Sequence, residues 1–127
     1  MNKPSVDAKP PLPIKDDDHV AGPDSAAITV VAYCDFECPY CGRAYPIIKR
    51  LQARLRDRLR FVFRHFPLIH KHPLAQQAAE AADAAESQGQ FWAMHDLLFE
   101  NQEALEKMIC TPMQYLSISM SGDLNEN

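Results

Sequence analysis

Two cysteines separated by two residues, in Cys38-Pro39-Tyr40-Cys41, constrain this chain more than any other feature, because they fall where the hydrophobic pattern changes period. Ahead of them, Ile28-Thr29-Val30-Val31-Ala32-Tyr33 is β-branched and aromatic with apolar residues on both faces. This predicts a strand buried on both sides in a parallel sheet, ending at Cys34-Asp35. Behind them, Ala44, Ile47, Ile48, Leu51 and Leu55 recur at helical spacing, with Lys49, Arg50, Arg54 and Arg56 on the other face and at the basic end. Arg60-Phe61-Val62-Phe63-Arg64-His65-Phe66 then reads as a second strand, stopped by Pro67. Together these segments predict a β-α-β unit with parallel strands. The pair therefore lies in a β-to-α turn, with Cys38 near the helix N-terminus and Cys41 one turn inside.

That position matters because the thiolate is the reactive form. A thiol of pKa about 8.5 is only ~3% ionised at pH 7, whereas one at about 6 would be ~90% ionised. The helix dipole and the unpaired first-turn amides favour the anion, which makes Cys38 the candidate nucleophile. Cys41 is then the resolving thiol, close enough to attack a mixed disulfide on Cys38. Pro39 lacks an amide hydrogen, so it suits the first helical turn.

The remainder reads as ordinary globular sequence. Pro73 opens an Ala-rich helix through Glu86, closed by Gly89. Phe91, Met94, Leu98 and Leu105 form one stripe of a further helix, widened by Trp92 and Phe99, as core packing requires. Residues 1–25 hold five of the ten prolines and the run Asp16, Asp17, Asp18, and are expected to form a flexible arm. Residues 26–108 are expected to carry the fold, and 109–127 a divergent tail. At 127 residues, with 46% hydrophobic and 24% charged residues, the composition suits one small globular domain. A net charge of −4 argues against nucleic acid or an anionic membrane as partner. No window approaches 18 uninterrupted apolar residues, so no membrane span is expected. The first thirty residues show no secretory leader pattern, so a cytoplasmic location is expected, with the four cysteines reduced, catalytic or metal-binding.

Asp35-Phe36-Glu37-Cys38-Pro39-Tyr40-Cys41 after a hydrophobic strand, with Pro46 inside the following helix, resembles the active-site segment of the thioredoxin superfamily. More narrowly it is similar to the DsbA-like thiol-disulfide oxidoreductases. The lead-in His19-Val20-Ala21-Gly22-Pro23, the second strand with Pro67, and Gln90-Phe91-Trp92-Ala93-Met94-His95-Asp96-Leu97-Leu98-Phe99 extend the likeness to about residue 106. The resemblance implies an α/β thioredoxin-like fold with a helical insertion and a Cys38/Cys41 redox pair. It also implies that Pro39 and Tyr40 tune the potential. Thr111-Pro112 resembles the family's Thr-Pro pair that faces the cysteines and aligns a peptide. Family members continue into a β-hairpin and a closing helix, so an incomplete fold is expected; residues 113–125 fit a continued helical insertion better than a strand.

No cofactor is implied. The expected partners are a disulfide-containing protein or a low-molecular-weight thiol, and a reductant such as glutathione or a thioredoxin system. An alternative is a weakly active member serving as a binding or dimerising module, because missing strands would leave an edge unpaired. Two metal readings compete with the redox pair. Cys34, Cys38 and Cys41 match the three-cysteine spacing that holds an iron-sulfur cluster, but too few strands surround them for the barrel such enzymes use. Zinc on Cys38 and Cys41 with two of His65, His70 and His72 would need ligands about 24 residues apart across a whole helix. Cys34 reads instead as a small buried residue, His65 as a packed strand residue, His70 and His72 as solvated, His95 as a satisfied core histidine, and Cys110 as having no role.

Overall fold

The computed structural model describes residues 13–110. Strand β1 spans His19–Ala21, β2 Ile28–Cys34 and β3 Leu59–His65; helix α1 spans Pro39–Leu55, α2 Ala75–Glu86, α3 Phe91–Glu100 and α4 Leu105–Cys110. The sheet order is β1-β3-β2, with β2 parallel to β3 and β1 antiparallel to it. The predicted β-α-β unit is present, with α1 as its crossover. Val30 stands opposite Phe61, Ala32 opposite Phe63 and Cys34 opposite His65, so these six residues share one face of the sheet.

The main buried cluster of the described residues is on that face. Phe61 and Phe63 join Phe36, Phe91, Met94, Leu98 and Leu105 in one buried cluster. Ala75, Ala78, Ala79, Ala81, Ala82 and Ala85 are the buried residues of α2, and their small side chains let this helix approach the cluster closely. Gly89, at φ +69°, takes the left-handed conformation that ends the helical path before α3.

Three expectations are corrected. The first strand is not buried on both sides: Ile28 and Tyr33 are exposed. Its second face carries polar cross-strand contacts, Arg60 Nε to Thr29 Oγ1 at 3.2 Å and Arg64 Nη1 to Tyr33 Oη at 2.8 Å. The segment read as an arm contributes strand β1, clamped by Arg64, whose Nε and Nη2 donate to the two carboxylate oxygens of Asp18 at 2.9 and 2.8 Å. Leu105 does not continue the stripe of α3, because that helix stops at Glu100 and a turn of 3-10 helix intervenes before α4. No described helix is long and apolar enough to cross a membrane.

Candidate functional site

Cys38 is the N-cap of α1, in extended conformation at φ −72° and ψ 124°, and Pro39 follows as the first helical residue. The Cys38 amide donates to Asp35 O at 3.1 Å and its carbonyl accepts from Gly42 N at 3.0 Å. The residue is therefore held by the turn before it and by the first turn of helix after it. Tyr40 projects outward, 74% exposed, with the Arg43 guanidinium 4.8 Å from its ring centroid.

Cys41 faces inward, towards Cys34 at the end of β2. All four cysteines are free thiols. The Asp35 amide donates to Cys41 Sγ at 3.5 Å. Burial pushes the Cys41 thiol up; the Asp35 amide and the Cys34 thiol, both donating to its sulfur, pull it down, and the neighbouring Cys38 sulfur raises it further. The rise wins. Burial likewise pushes Cys34 up to about 12, reinforced by Cys41, Cys38 and Asp35. Cys34, Cys41 and Cys38 thus lie close enough for each sulfur to act on its neighbour.

The residues around the pair fix this loop to the rest of the fold. Asp35, 3% exposed, accepts from Glu37 N at 2.8 Å on one oxygen, and from Leu68 N at 3.0 Å and His72 Nδ1 at 2.7 Å on the other. Glu37 accepts from Leu74 N at 2.8 Å. Gln102 Nε2 donates to the carbonyls of Phe36 and Cys38, each at 2.9 Å. The sequence reading missed Asp35, Glu37 and Gln102 as positioning residues. Two acids just ahead of a cysteine pair were a usable signal for the first two; Gln102 carried none.

Cys38, Pro39, Tyr40 and Cys41 lie at the N-terminal end of α1. Thr111 and Pro112 lie outside the described residues. His72 is not solvated but bound to Asp35, His65 bonds Asp83 at 2.8 Å, and His95 is buried with Nδ1 2.9 Å from Asp96. Among the described residues, neither the three cysteines nor a cysteine–histidine set brings three ligating atoms within 4.8 Å. Behind Cys41, a cavity of about 10 Å³ lined by Cys34, Cys41, Tyr45, Phe63 and His95 has room for about one water and no more.

The sequence profile of the thioredoxin family matches residues 15–115. The chain belongs to this family. Among solved structures, Pseudomonas aeruginosa DsbA2 is 32% identical with a TM-score of 0.59, covering 70% of this chain and 49% of that one. A thioredoxin-like oxidoreductase from Silicibacter pomeroyi is 26% identical with a TM-score of 0.62, covering 84% and 65%. These neighbours make it a DsbA-like member of the thioredoxin superfamily that spans 49% and 65% of their lengths. Its α/β fold of a small sheet with helices is the one the sequence implied. Among curated proteins, the Na(+)/H(+) antiporter NhaA 3 of Salinispora tropica is 56% identical over 90 residues, which is 71% of this chain and 14% of that protein.

Proposed function

We propose that the chain exchanges disulfides through Cys38 as attacking thiolate and Cys41 as resolving thiol. The observation that carries this reading is the position of Cys38 as N-cap of α1, with Cys41 three residues on in the first turn and its thiol raised by burial. Cys38 is thereby the residue placed to attack, at the helix end that favours negative charge.

Cys38 S⁻ attacks one sulfur of a substrate disulfide, forming a mixed disulfide and releasing the other sulfur as thiolate. Cys41 then gives up its proton and attacks Cys38 Sγ, which releases the second substrate thiolate. Two electrons have passed to the substrate, and the Cys38–Cys41 disulfide remains. Glutathione or a thioredoxin system would return the pair to dithiol in a reducing cytoplasm, the compartment we propose. Pro39 tunes the potential by leaving the first turn without one donor, and Tyr40 offers an exposed ring to an arriving polypeptide. No ion transport is assigned, because the match to the antiporter covers 14% of its length.

Reduction of a model protein disulfide tests this. Cys38→Ser should abolish turnover, and Cys41→Ser should accumulate mixed disulfides visible by non-reducing mass spectrometry. Equal activity in the two variants would remove the mechanism.

A second reading, a binding or dimerising module, is favoured by one observation. Among the described residues the outer edge of β2 is unpaired, and Ile28, Tyr33, Ile47, Leu51, Phe66 and Ile69 are exposed. Light scattering separates the readings: a dimer that Ile47→Glu dissociates supports the module, and a monomer at all concentrations opposes it.

A further inference from the structure

Away from the cysteines, three elements bring ligating atoms to one point. His19 on β1 and His65 at the end of β3 both direct Nε2 at the same oxygen, Oδ1 of Asp83 on α2, at 3.0 and 2.8 Å. The three atoms lie within 4.8 Å of one another. Both rings are held by packing. His19 stacks on Phe91 with centroids 3.6 Å apart and planes within 4°, and His65 lies edge-on to Phe63 at 5.4 Å and to His19 at 5.5 Å.

The remaining ring nitrogens have no aligned hydrogen-bond partner. His65 Nδ1 has none, and His19 Nδ1 has none although Glu86 Oε2 lies 2.7 Å away, out of line with the ring donor. His19 is nine-tenths buried. Two imidazoles sharing one carboxylate oxygen must each put a proton on Nε2. A cation between the Nε2 atoms and Asp83 would take the place of both protons. Each ring then carries its proton on Nδ1, and for His19 a small turn of the Glu86 side chain, 2.7 Å away, would bring its carboxylate into line, as the outer carboxylates of metal-bound histidines do. Two neutral imidazoles, two carboxylates and one divalent ion also sum to zero charge.

We propose that His19 Nε2, His65 Nε2 and Asp83 Oδ1 bind one divalent transition ion of the zinc type, with Glu86 as outer partner of His19. Two nitrogens and one oxygen suit zinc and its first-row neighbours better than calcium or magnesium. Ligand atoms about 2.0–2.2 Å from a tetrahedral ion stand roughly 3.3 Å apart, so a slight withdrawal of Asp83 makes room. That side chain is 53% exposed, free to move, and opens the fourth position to water. The bound ion joins β1, β3 and α2. Phe36, two residues before Cys38, packs on His65 at 5.8 Å between ring centroids, so the ion also braces the loop carrying the cysteines.

The test uses the untagged full chain, in wild-type form and with Cys34, Cys38, Cys41 and Cys110 replaced by Ser so that thiolates cannot compete. Zinc is titrated by calorimetry, and cobalt is added for its visible spectrum. The expected result is one equivalent bound in both proteins, a cobalt spectrum without thiolate charge transfer in the Ser variant, and a melting temperature raised by zinc. Asp83→Asn, at an exposed position, should weaken binding at least ~10-fold, and Glu86→Gln by about 10-fold, with circular dichroism unchanged. The proposal is overturned by no uptake at about 100 µM zinc, by equal affinity in Asp83→Asn, or by loss of binding in the Ser variant alone.

Discussion

A Cβ at Gly42 would overlap the side-chain amide of Gln102, the group that binds the carbonyls of Phe36 and Cys38. Gly42→Ala should therefore destabilise the protein by about 1 kcal/mol by displacing that amide. In a Gln102→Ala background the clash is gone, and the same substitution should stabilise α1 by about 0.5–1 kcal/mol through helix propensity. Urea unfolding of the four proteins measures the reversal of sign, and additive effects would show that Gln102 does not position this turn. Cys34 gives a second expectation at this scale. Its thiol is held up to about 12, chiefly by burial, so the native state keeps a proton that the unfolded chain loses above about pH 9. Stability should fall as pH rises from about 9 towards 12, less steeply in Cys34→Ser. Urea midpoints at neutral and alkaline pH give the comparison, and identical slopes would show that the native thiol titrates as in the unfolded chain.

Among the elements, the loop between β2 and α1 is fastened to the segment between β3 and α2 by acids and not by apolar contact. Asp35 reaches Leu68 and His72, and Glu37 reaches Leu74. Asp35→Ala leaves three donors without their acceptor and should lower stability by about 3 kcal/mol, read from chemical denaturation. Its effect on disulfide exchange should exceed that of a core substitution of equal cost, since it frees the turn carrying Cys38. The elements themselves were legible because their apolar periodicity is strong: β3 alternates Phe61, Phe63 and His65 on one face, and α2 is a run of alanines. Strand β1 was hidden by its neighbours. Three residues beside a proline- and aspartate-rich stretch show no period of their own, and they pair with β3 because Arg64 holds Asp18.

For the molecule as a whole, one source of pH dependence is His95, in the aromatic cluster that α3 completes. His95 lies among Phe36, Phe63, Trp92 and Phe99, with ring centroids 4.8–5.9 Å away. Burial pulls its pKa down, against the opposing pull of Asp96. Asp96 is itself held below the usual carboxylate range: burial alone would raise it, but hydrogen bonds from His95 and Lys49 outweigh that. A histidine depressed in the folded state contributes stability that is present above its unfolded pKa of about 6.5 and lost as pH falls through the folded value. The melting temperature should therefore drop between pH 7 and pH 5, and His95→Gln should flatten part of that drop. An unchanged slope in the variant would place the titration elsewhere.

By itself the sequence determined the β-α-β unit and the position of Cys38 and Cys41 at its turn, because periodicity and local spacing are properties of neighbouring residues, while the family was legible only through the likeness of the Asp35–Cys41 segment and its flanks. The tertiary structure alone decided which partners the polar groups found. Asp35 with His72, Gln102 with the Cys38 carbonyl, and His19 with His65 and Asp83 join residues 37 to 64 positions apart. Such pairs leave no periodic trace. They form because a buried polar group must be satisfied by whatever the folded chain places beside it.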